Sequence, residues 1–221
     1  MTHPPPKPDR SANPLEPHNL LRAYSLGAFM MADPDTGSHN FYCCDPRAVL
    51  PFHAFHCPRS LRKLIRRKHF QIRSNTAFSQ VMRHCSRPRR ADDQPWISPQ
   101  MIAAYSTLHD LGFAHSIEAY LGDTLVGGIY GVSIHAAFFA ESMFCLPQRG
   151  GSNASKVCLA ALVSHLRNRH YLLLDVQLAN PHTEQFGVVN ISHADFTQQL
   201  QNALAATNVC WYPFPSDEPR P

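Results

Sequence analysis

Three features that the sequence lacks limit the classes of protein it can encode. No stretch of the 221 residues approaches the roughly 20 consecutive apolar residues that a membrane-spanning helix requires. The N-terminus begins Met-Thr-His-Pro-Pro-Pro, without the apolar segment of a secretory signal. The seven cysteines are an odd number at scattered spacings, which is typical of reduced thiols and not of a disulfide framework. These absences predict a soluble, cytoplasmic protein with no membrane partner.

Acidic residues are missing from one long stretch of the chain. Between Pro46 and Ala91 there are twelve Lys and Arg residues and no Asp or Glu. The formal net charge of the whole chain is only +4, so the other parts together are acidic. A basic module on an otherwise acidic protein indicates a polyanionic partner. The alternative is a solvated basic face without a partner, although such faces usually carry interleaved acids.

Composition divides the chain into four parts. Residues 1–19 are rich in proline and are expected to form a disordered or polyproline-like arm. Residues 20–93 are expected to form a small N-terminal lobe, and residues 94–206 a larger domain. The proline-rich tail, 207–221, is expected to be irregular. The hydrophobic content of 44% suffices for one substantial core.

Two helices are predicted in the N-terminal lobe. In the first, Leu61, Leu64 and Ile65 recur at helical spacing and form one apolar face. Four cations are left for the other faces and define what we call the basic surface: Arg62, Lys63, Arg66 and Arg67. The second helix is predicted by the same spacing after Asn75, which is a candidate N-cap. Its apolar positions are Phe78, Val81, Met82 and Cys85.

The larger domain shows a regular alternation of predicted elements. Ser98-Pro99 begins a helix that Gly112 closes. The turn at Gly122-Asp123 and the short link at 135–137 join three strands into an antiparallel meander. The three strands and the later helix, buried strand and helix are His115–Leu121, Thr124–Ile134, Phe138–Phe144, Asn153–Arg169, Tyr171–Asp175 and Ser192–Leu204. This order matches the core of the GNAT (N-acetyltransferase-like) fold, so an α/β (α+β) fold is expected, with the basic helix on the smaller lobe.

Several short motifs resemble one enzyme family closely. They begin at Asp45 and Trp96 and continue through Glu141 and Asp175: D-P-R-A-V-L, W-I-S, H-D-L-G-F-A-H-S-I-E, L-V-G-G-I-Y-G-V, E-S-M-F, N-A-S-K and D-V-Q. Together they are similar to the leucyl/phenylalanyl-tRNA–protein transferases over about residues 20–205. The sequence departs from that family at Phe29-Met30-Met31, where many members have F-P-W, and in the loop Cys145–Ser152, which is longer than usual.

The resemblance implies an aminoacyltransferase. It would move Leu or Phe, and less readily Met, from aminoacyl-tRNA to proteins that begin with Arg or Lys, and so mark them for N-end-rule degradation. An aminoacyl ester is already activated, so no metal, ATP or other cofactor is expected. A monomer is expected.

The resemblance also assigns roles to residues. Asp175 and Gln177 lie two apart at a strand end and so share a side of the strand. The family implies that they are catalytic, with Asp175 polarising or orienting Gln177 near the attacking amine. Glu141 would contact the aminoacyl amino group. Trp96 would stack on the terminal adenine, and the basic surface would hold tRNA phosphates. Five apolar residues would line the donor side-chain pocket: Ile129, Phe139, Leu159, Leu162 and Leu174.

Three alternatives remain open at this point. Gln148–Asn153 partly matches the glycine-rich pyrophosphate loop of an acyl-CoA N-acyltransferase of the same fold. A non-catalytic tRNA-binding protein would keep the basic surface but would not need the acidic and amide residues. A zinc site would use a group of cysteines and histidines: Cys43, Cys44, His53, His56 and Cys57.

Overall fold

A computed structural model describes residues 13–88 and 94–215. These residues form seven helices, nine strands and a 3₁₀ turn at Pro147–Arg149. In chain order they are α1 (Pro17–Ser25), β1 (Phe29–Ala32), β2 (His39–Tyr42), β3 (Arg47–Val49), α2 (Arg59–Arg66), β4 (Gln71–Ser74), α3 (Phe78–Cys85), α4 (Pro99–Asp110), β5 (Ala114–Leu121), β6 (Thr124–Ile134), β7 (Ala137–Cys145), α5 (Ala154–Asn168), β8 (Leu173–Gln177), α6 (Pro181–Glu184), β9 (Val189–Ile191) and α7 (His193–Ala205).

A seven-stranded mixed sheet organises the molecule. Its strand order is β4-β5-β6-β7-β8-β3-β9, and β7 pairs with β8 in parallel while the other neighbours are antiparallel. The predicted α/β fold is confirmed, and its GNAT-like element order appears as α4, β5, β6, β7, α5, β8 and α7. Strands β3 and β4, from the stretch expected to form the smaller lobe, belong to this same sheet, whereas β1 and β2 pair separately.

Helices cover both faces of the sheet. Residues of α1, α3, α4 and α7 build one core, which includes Tyr24, Tyr105 and Phe139. Helices α2 and α5 build the other, which includes Leu61 and Leu162. Most residues of β5 to β7 are buried, although β5 also carries the buried polar residues His115, Ser116 and Glu118. No helix within the described ranges is long and apolar enough to span a membrane.

Gly127 allows α5 to lie directly against β6. A Cβ atom at this position would lie 2.4 Å from the Cβ of Ala154, at the first turn of α5. Such a distance is well inside van der Waals contact, so any side chain here would push the start of α5 off the sheet. The first Gly of the G-G pair in β6 is thus required by packing.

Local structure differs from the sequence expectation at three places. Helix α1 begins at Pro17, inside the segment expected to be an arm. Proline suits the first helical turn, and Leu20 becomes fully buried. Residues 1–12 of that segment lie outside the described ranges. Asn75 is not the N-cap of α3: its backbone is left-handed (φ 59°), and its side-chain oxygen accepts from Ser116 N. Ile65 is 40% exposed, so the apolar face of α2 is narrower than expected.

A buried acidic side chain accepts the hydrogen bonds of the backbone N–H groups just before α3. Glu118 on β5 accepts hydrogen bonds from the backbone N–H groups of Thr76 (3.3 Å) and Ala77 (3.4 Å). It also accepts from the Thr76 hydroxyl at 2.9 Å. The N–H groups just before α3 are therefore bonded by a residue distant in sequence and not by the Asn75 side chain.

The structure describes residues 207–215 of the tail. They contain no helix or strand, but they pack against the rest of the protein. Trp211 is 3% exposed, and its indole stacks on the ring of His115 at 4.2 Å. Its Nε1–H donates to Ser74 Oγ at 3.1 Å. The tail is therefore part of the second core.

Candidate active site

The candidate site lies where strands β7 and β8 part. Their parallel pairing runs from Ala137 opposite Leu173 to Phe139 opposite Asp175 and stops there. Glu141 and Gln177 lie two residues further along their strands and line a cavity of about 490 Å³ that opens beyond the last paired residues. The cavity takes its walls from both cores.

Asp175 is held in a buried ion pair just behind the cavity. Arg47 of β3 donates from Nε to Asp175 Oδ1 at 2.9 Å and from Nη2 to Oδ2 at 2.6 Å. The two side chains are 1% and 0% exposed. The guanidinium also lies over the rings of Phe29 (4.9 Å to the centroid) and Phe196 (4.6 Å), so an aromatic sandwich fixes its plane.

Gln177 links this ion pair to Glu141. Its backbone N–H donates to Asp175 Oδ1 at 2.9 Å, and its side-chain Nε2 donates to Glu141 Oε1 at 3.1 Å. Its backbone is left-handed (φ 57°), a conformation that costs free energy in a residue with a side chain. Asp175 therefore contacts the backbone of Gln177, and only the Gln177 side chain reaches the cavity.

Glu141 is the acid of the described cavity lining, and its environment favours the protonated form. Burial, together with the nearby charge of Asp175, raises its pKa from 4.5 to about 8, against the opposing effects of a Tyr24 hydrogen bond and of Arg47. Beneath it the hydroxyls of Tyr24 and Tyr105 are hydrogen-bonded at 2.5 Å, and burial raises the pKa of both tyrosines. The two phenols therefore stay neutral, and Tyr24 is hydrogen-bonded to the carboxyl group of Glu141.

Most of the cavity wall is apolar, and two of the five residues expected in the donor pocket are part of it. These are Ile129 of β6 and Leu159 of α5. Other apolar side chains of the lining include Leu50, Met143, Val176 and Val188.

The structure places the other three expected pocket residues in the core. Phe139, Leu162 and Leu174 are each at most 1% exposed and are not among the cavity's described lining residues. Phe139 and Leu174 belong to the paired part of β7 and β8, where the sheet is closed. Leu162 lies about one turn further along α5 than Leu159. In the sequence these three residues show the same apolar spacing as residues that line the cavity, so the pattern alone could not separate core from cavity wall.

The expected RNA-binding residues fall into two places. Trp96 lines the cavity, and its carbonyl accepts from Ala32 N at 3.0 Å, which ties it to β1. The basic surface is exposed on α2 and just beyond it, outside the cavity lining. Leu61, which is 3% exposed, anchors α2 against α5. Within the described ranges, none of the four cations forms an ion pair with an acid.

Two of the alternatives are testable on this geometry. In the described part of the chain, no group of three or more His, Cys, Asp or Glu residues could hold a metal ion, so the zinc candidates do not converge. In the glycine-containing loop, the N–H groups of Arg149, Gly150, Gly151 and Ala154 all donate to carbonyls of the same loop. Those four groups are thus not free to cradle a pyrophosphate.

Arg47 and the two tyrosines are the site residues that the sequence analysis missed. Arg47 opens the run R-A-V-L, a short apolar strand in which a cation has no exposed position. A cation in such a strand requires a buried anion, so the signal was present, although its partner, 128 residues away, could not be named from the sequence. Tyr24 and Tyr105 carry no comparable signal, since a Tyr in an amphipathic helix is usually a core residue.

Comparison with known proteins gives a consistent result. The family model described as leucyl/phenylalanyl-tRNA protein transferase matches residues 49–201. A leucyl/phenylalanyl-tRNA–protein transferase from Prosthecochloris aestuarii is 44% identical over 86% of this chain and 96% of its own length. One from Chlorobium limicola is 46% identical over 84% of this chain and 93% of its own.

Among solved structures, a ribosomal-protein-alanine N-acetyltransferase from Brucella melitensis is 16% identical, with a TM-score of 0.33 over 46% of this chain and 75% of that chain. A likeness that distant carries no conclusion about the present chain. The family match covers more than half of the sequence, and the curated relatives align over nearly their whole length. This chain therefore belongs to the leucyl/phenylalanyl-tRNA–protein transferase family.

Proposed function

We propose that this protein transfers Leu or Phe, and less readily Met, from aminoacyl-tRNA to the N-terminal α-amine of proteins that begin with Arg or Lys. The product would be a substrate for N-end-rule degradation. One observation carries the proposal: a single cavity joins an apolar wall to the Glu141–Gln177 pair, at the point where β7 and β8 separate. The coarser activity, aminoacyl transfer to a protein, is supported by the names of the relatives.

The cavity fits an apolar aminoacyl group attached to a nucleoside. A volume of about 490 Å³ lies within the range of roughly 300–1,000 Å³ that small-molecule sites occupy. The donor side chain lies against Ile129 and Leu159, where a charged or amide side chain would lose its hydration without gaining a partner. The donor amino group lies at Glu141, and the terminal adenine stacks on Trp96.

The chemistry needs positioning more than activation. The neutral α-amine of the acceptor attacks the ester carbonyl carbon, the new C–N bond forms, and the C–O bond to the ribose 3′ oxygen breaks. The proton that the amine loses ends on that leaving oxygen. An α-amine with a pKa near ~7.7–8.0 is neutral to a useful extent at pH 7, and the ester supplies the driving force.

Gln177 orients the attacking amine. Because its Nε2 donates to Glu141, its Oε1 faces away as an acceptor for an amine N–H. Asp175 acts through the Gln177 backbone and is a positioning residue, since its oxygens are taken up by Arg47 and by the Gln177 N–H.

The basic surface supplies the remaining contact with the donor. Its four exposed cations form no ion pair with an acid in the described ranges and are available to acceptor-stem phosphates. Phosphate contacts position an RNA without reading its sequence. Recognition of the amino acid is therefore left to the cavity.

The test is transfer of radiolabelled amino acids from charged tRNA to peptides that differ only in their first residue. Leu, Phe and Met should be transferred, Ile and Val less well, and Lys and Asp not at all. Peptides beginning with Arg or Lys should accept, and the same peptides with an acetylated N-terminus should not. Efficient transfer of Lys or Asp, or transfer to the acetylated peptides, would contradict the proposal.

A further inference from the structure

Gln177 occupies a strained turn at the point where β8 ends. The backbone N–H of Leu178 donates to the carbonyl oxygen of Val176 at 2.7 Å, so Gln177 is the central residue of a γ-turn. Its φ of 57° makes this the left-handed form of the turn, which is rare and strained in a residue with a side chain. Such a conformation persists only where the surrounding contacts hold it in place.

A thiol is among the groups that hold Gln177. The N–H of Gln177 donates to Asp175 Oδ1 at 2.9 Å, and its side chain donates to Glu141 Oε1 at 3.1 Å. On the other side of the residue, the thiol of Cys44 donates to the Gln177 carbonyl oxygen at 3.2 Å. Cys44 lies between β2 and β3, is 9% exposed and is not among the cavity's described lining residues. A side chain outside the cavity therefore bonds the backbone of a residue whose side chain lies in it.

Arg47 connects the two sides of this turn. Its Nε and Nη2 atoms donate to Asp175, and its remaining nitrogen, Nη1, donates to Cys44 Sγ at 3.7 Å. The guanidinium group therefore contacts both the acceptor of the Gln177 N–H and the donor to the Gln177 carbonyl. Because the aromatic sandwich fixes the plane of the guanidinium group, both contacts belong to one rigid frame.

The Cys44 thiol is suited to the role of a donor. Burial raises its pKa against the opposing charge of Arg47, so the thiol keeps its proton at neutral pH. It accepts from a cationic N–H and donates to a carbonyl, and in such a chain each hydrogen bond polarises the next. The thiol of the neighbouring Cys43 lies elsewhere, 3.9 Å from the carbonyl oxygen of Gly27. Cys43 therefore offers a matched control for the loss of a thiol.

We propose that Cys44 is a positioning residue, whose thiol holds the Gln177 carbonyl and so keeps the γ-turn in its strained form. The proposal rests on the proposed function, because this turn directs the Gln177 side chain towards the acceptor amine. Without the thiol the turn relaxes for part of the time, and during that time the Gln177 amide is not in place for the attack. The affinity for the donor changes little, because the apolar wall and Glu141 remain in place.

Three substitutions separate the donor from the volume of the side chain. Cys44→Ala removes the thiol, Cys44→Val fills its space without a donor, and Cys44→Ser keeps a donor of similar size. The Ala and Val variants should lower the single-turnover transfer rate with saturating phenylalanyl-tRNA about fivefold, the effect of one lost hydrogen bond. Cys44→Ser and the control Cys43→Ala should stay within about twofold of the wild-type rate. The affinity for phenylalanyl-tRNA should be close to that of the wild type in every variant.

Hydrogen exchange of the Gln177 backbone N–H, followed by NMR on the same proteins, reports on the turn without any transfer reaction. The exchange should be about fivefold faster in Cys44→Ala and Cys44→Val, and unchanged in Cys44→Ser and Cys43→Ala. Exchange of the N–H groups of β6 is the internal reference and should not change. A local opening of the turn is thereby distinguished from a general loss of stability.

Unchanged exchange of the Gln177 N–H in Cys44→Ala would overturn the proposal. Faster exchange with an unchanged transfer rate would also overturn it, because the turn would then not position the amide for the reaction. An equal loss of transfer in Cys44→Ser or in Cys43→Ala would indicate a packing effect and not a lost donor, and would overturn it too. The expected exchange pattern in a protein whose wild type transfers from no charged tRNA would instead contradict the proposed function.

Discussion

Replacing Arg47 by Met should lower both the stability of the protein and its transfer rate, because Asp175 would lose its ion-pair partner. The substitution keeps an unbranched apolar stem between Phe29 and Phe196 but removes both hydrogen bonds to Asp175, which is 0% exposed. Removing one partner of a buried ion pair costs about 3–5 kcal/mol, because the remaining charge is left without compensation. That is a large part of the roughly 5–15 kcal/mol by which domains are stable.

The free energy of unfolding is measured by urea titration, with tryptophan fluorescence as the signal. The single-turnover transfer rate is measured on the same preparations. The double variant Arg47→Met/Asp175→Leu removes both charges, so most of the lost stability should return. Its transfer rate should stay low, because the N–H of Gln177 has lost its acceptor. A stability loss below about 1 kcal/mol in the single variant, the range of an exposed pair, would refute the ion-pair argument. A wild-type transfer rate in the double variant would refute the positioning role of Asp175.

Three other predictions address different parts of the account. Replacing all four cations of the basic surface by Ala should reduce the salt slope of tRNA binding by up to about 3.6, or about 0.9 per duplex phosphate contact; an unchanged slope would mean a solvated face. Burial raises the pKa of Glu141 from 4.5 to about 8, so the folded protein holds a proton that the unfolded chain releases. The free energy of unfolding should therefore fall between pH 4.5 and pH 8 in the wild type relative to Glu141→Gln, and parallel curves would contradict this environment. Leu159→Ala enlarges the cavity and should favour Phe over Leu as donor. Phe139→Ala, in the core, should cost about 3–5 kcal/mol of stability and leave the donor preference unchanged. A changed donor preference in Phe139→Ala would mean that Phe139 contacts the donor side chain.

The regular part of the fold could be predicted because local pattern and tertiary structure agree there. The strands near His115, Thr124 and Phe138 are bounded by turn residues, and the helix after Ser98 has a side-chain cap and a proline at its first turn. These signals are short-range and do not depend on distant partners. The start of α3 shows the opposite case, since the N–H groups just before it are bonded by Glu118, which is remote in sequence, and not by Asn75.

The candidate site was predictable in its residue types but not in its connections. The motif at Asp175 to Gln177 and the acid at Glu141 were recognisable, and the structure joins Asp175 to the Gln177 backbone and the Gln177 side chain to Glu141. The Arg47 partner and the division between pocket and core depend on where β7 and β8 stop pairing. That point is set by long-range packing, and no local pattern in the sequence marks it.

The most direct test of the central claim is the single-turnover rate of Gln177→Asn with saturating phenylalanyl-tRNA. Asn accepts the left-handed backbone that this position requires, but its shorter side chain cannot keep the contact with Glu141 while it orients the amine. The rate should fall by about 10²-fold or more, as expected when a group that positions a proton transfer is lost, while the affinity for phenylalanyl-tRNA stays close to that of the wild type. A rate equal to that of the wild type would contradict the assignment of this cavity as the active site.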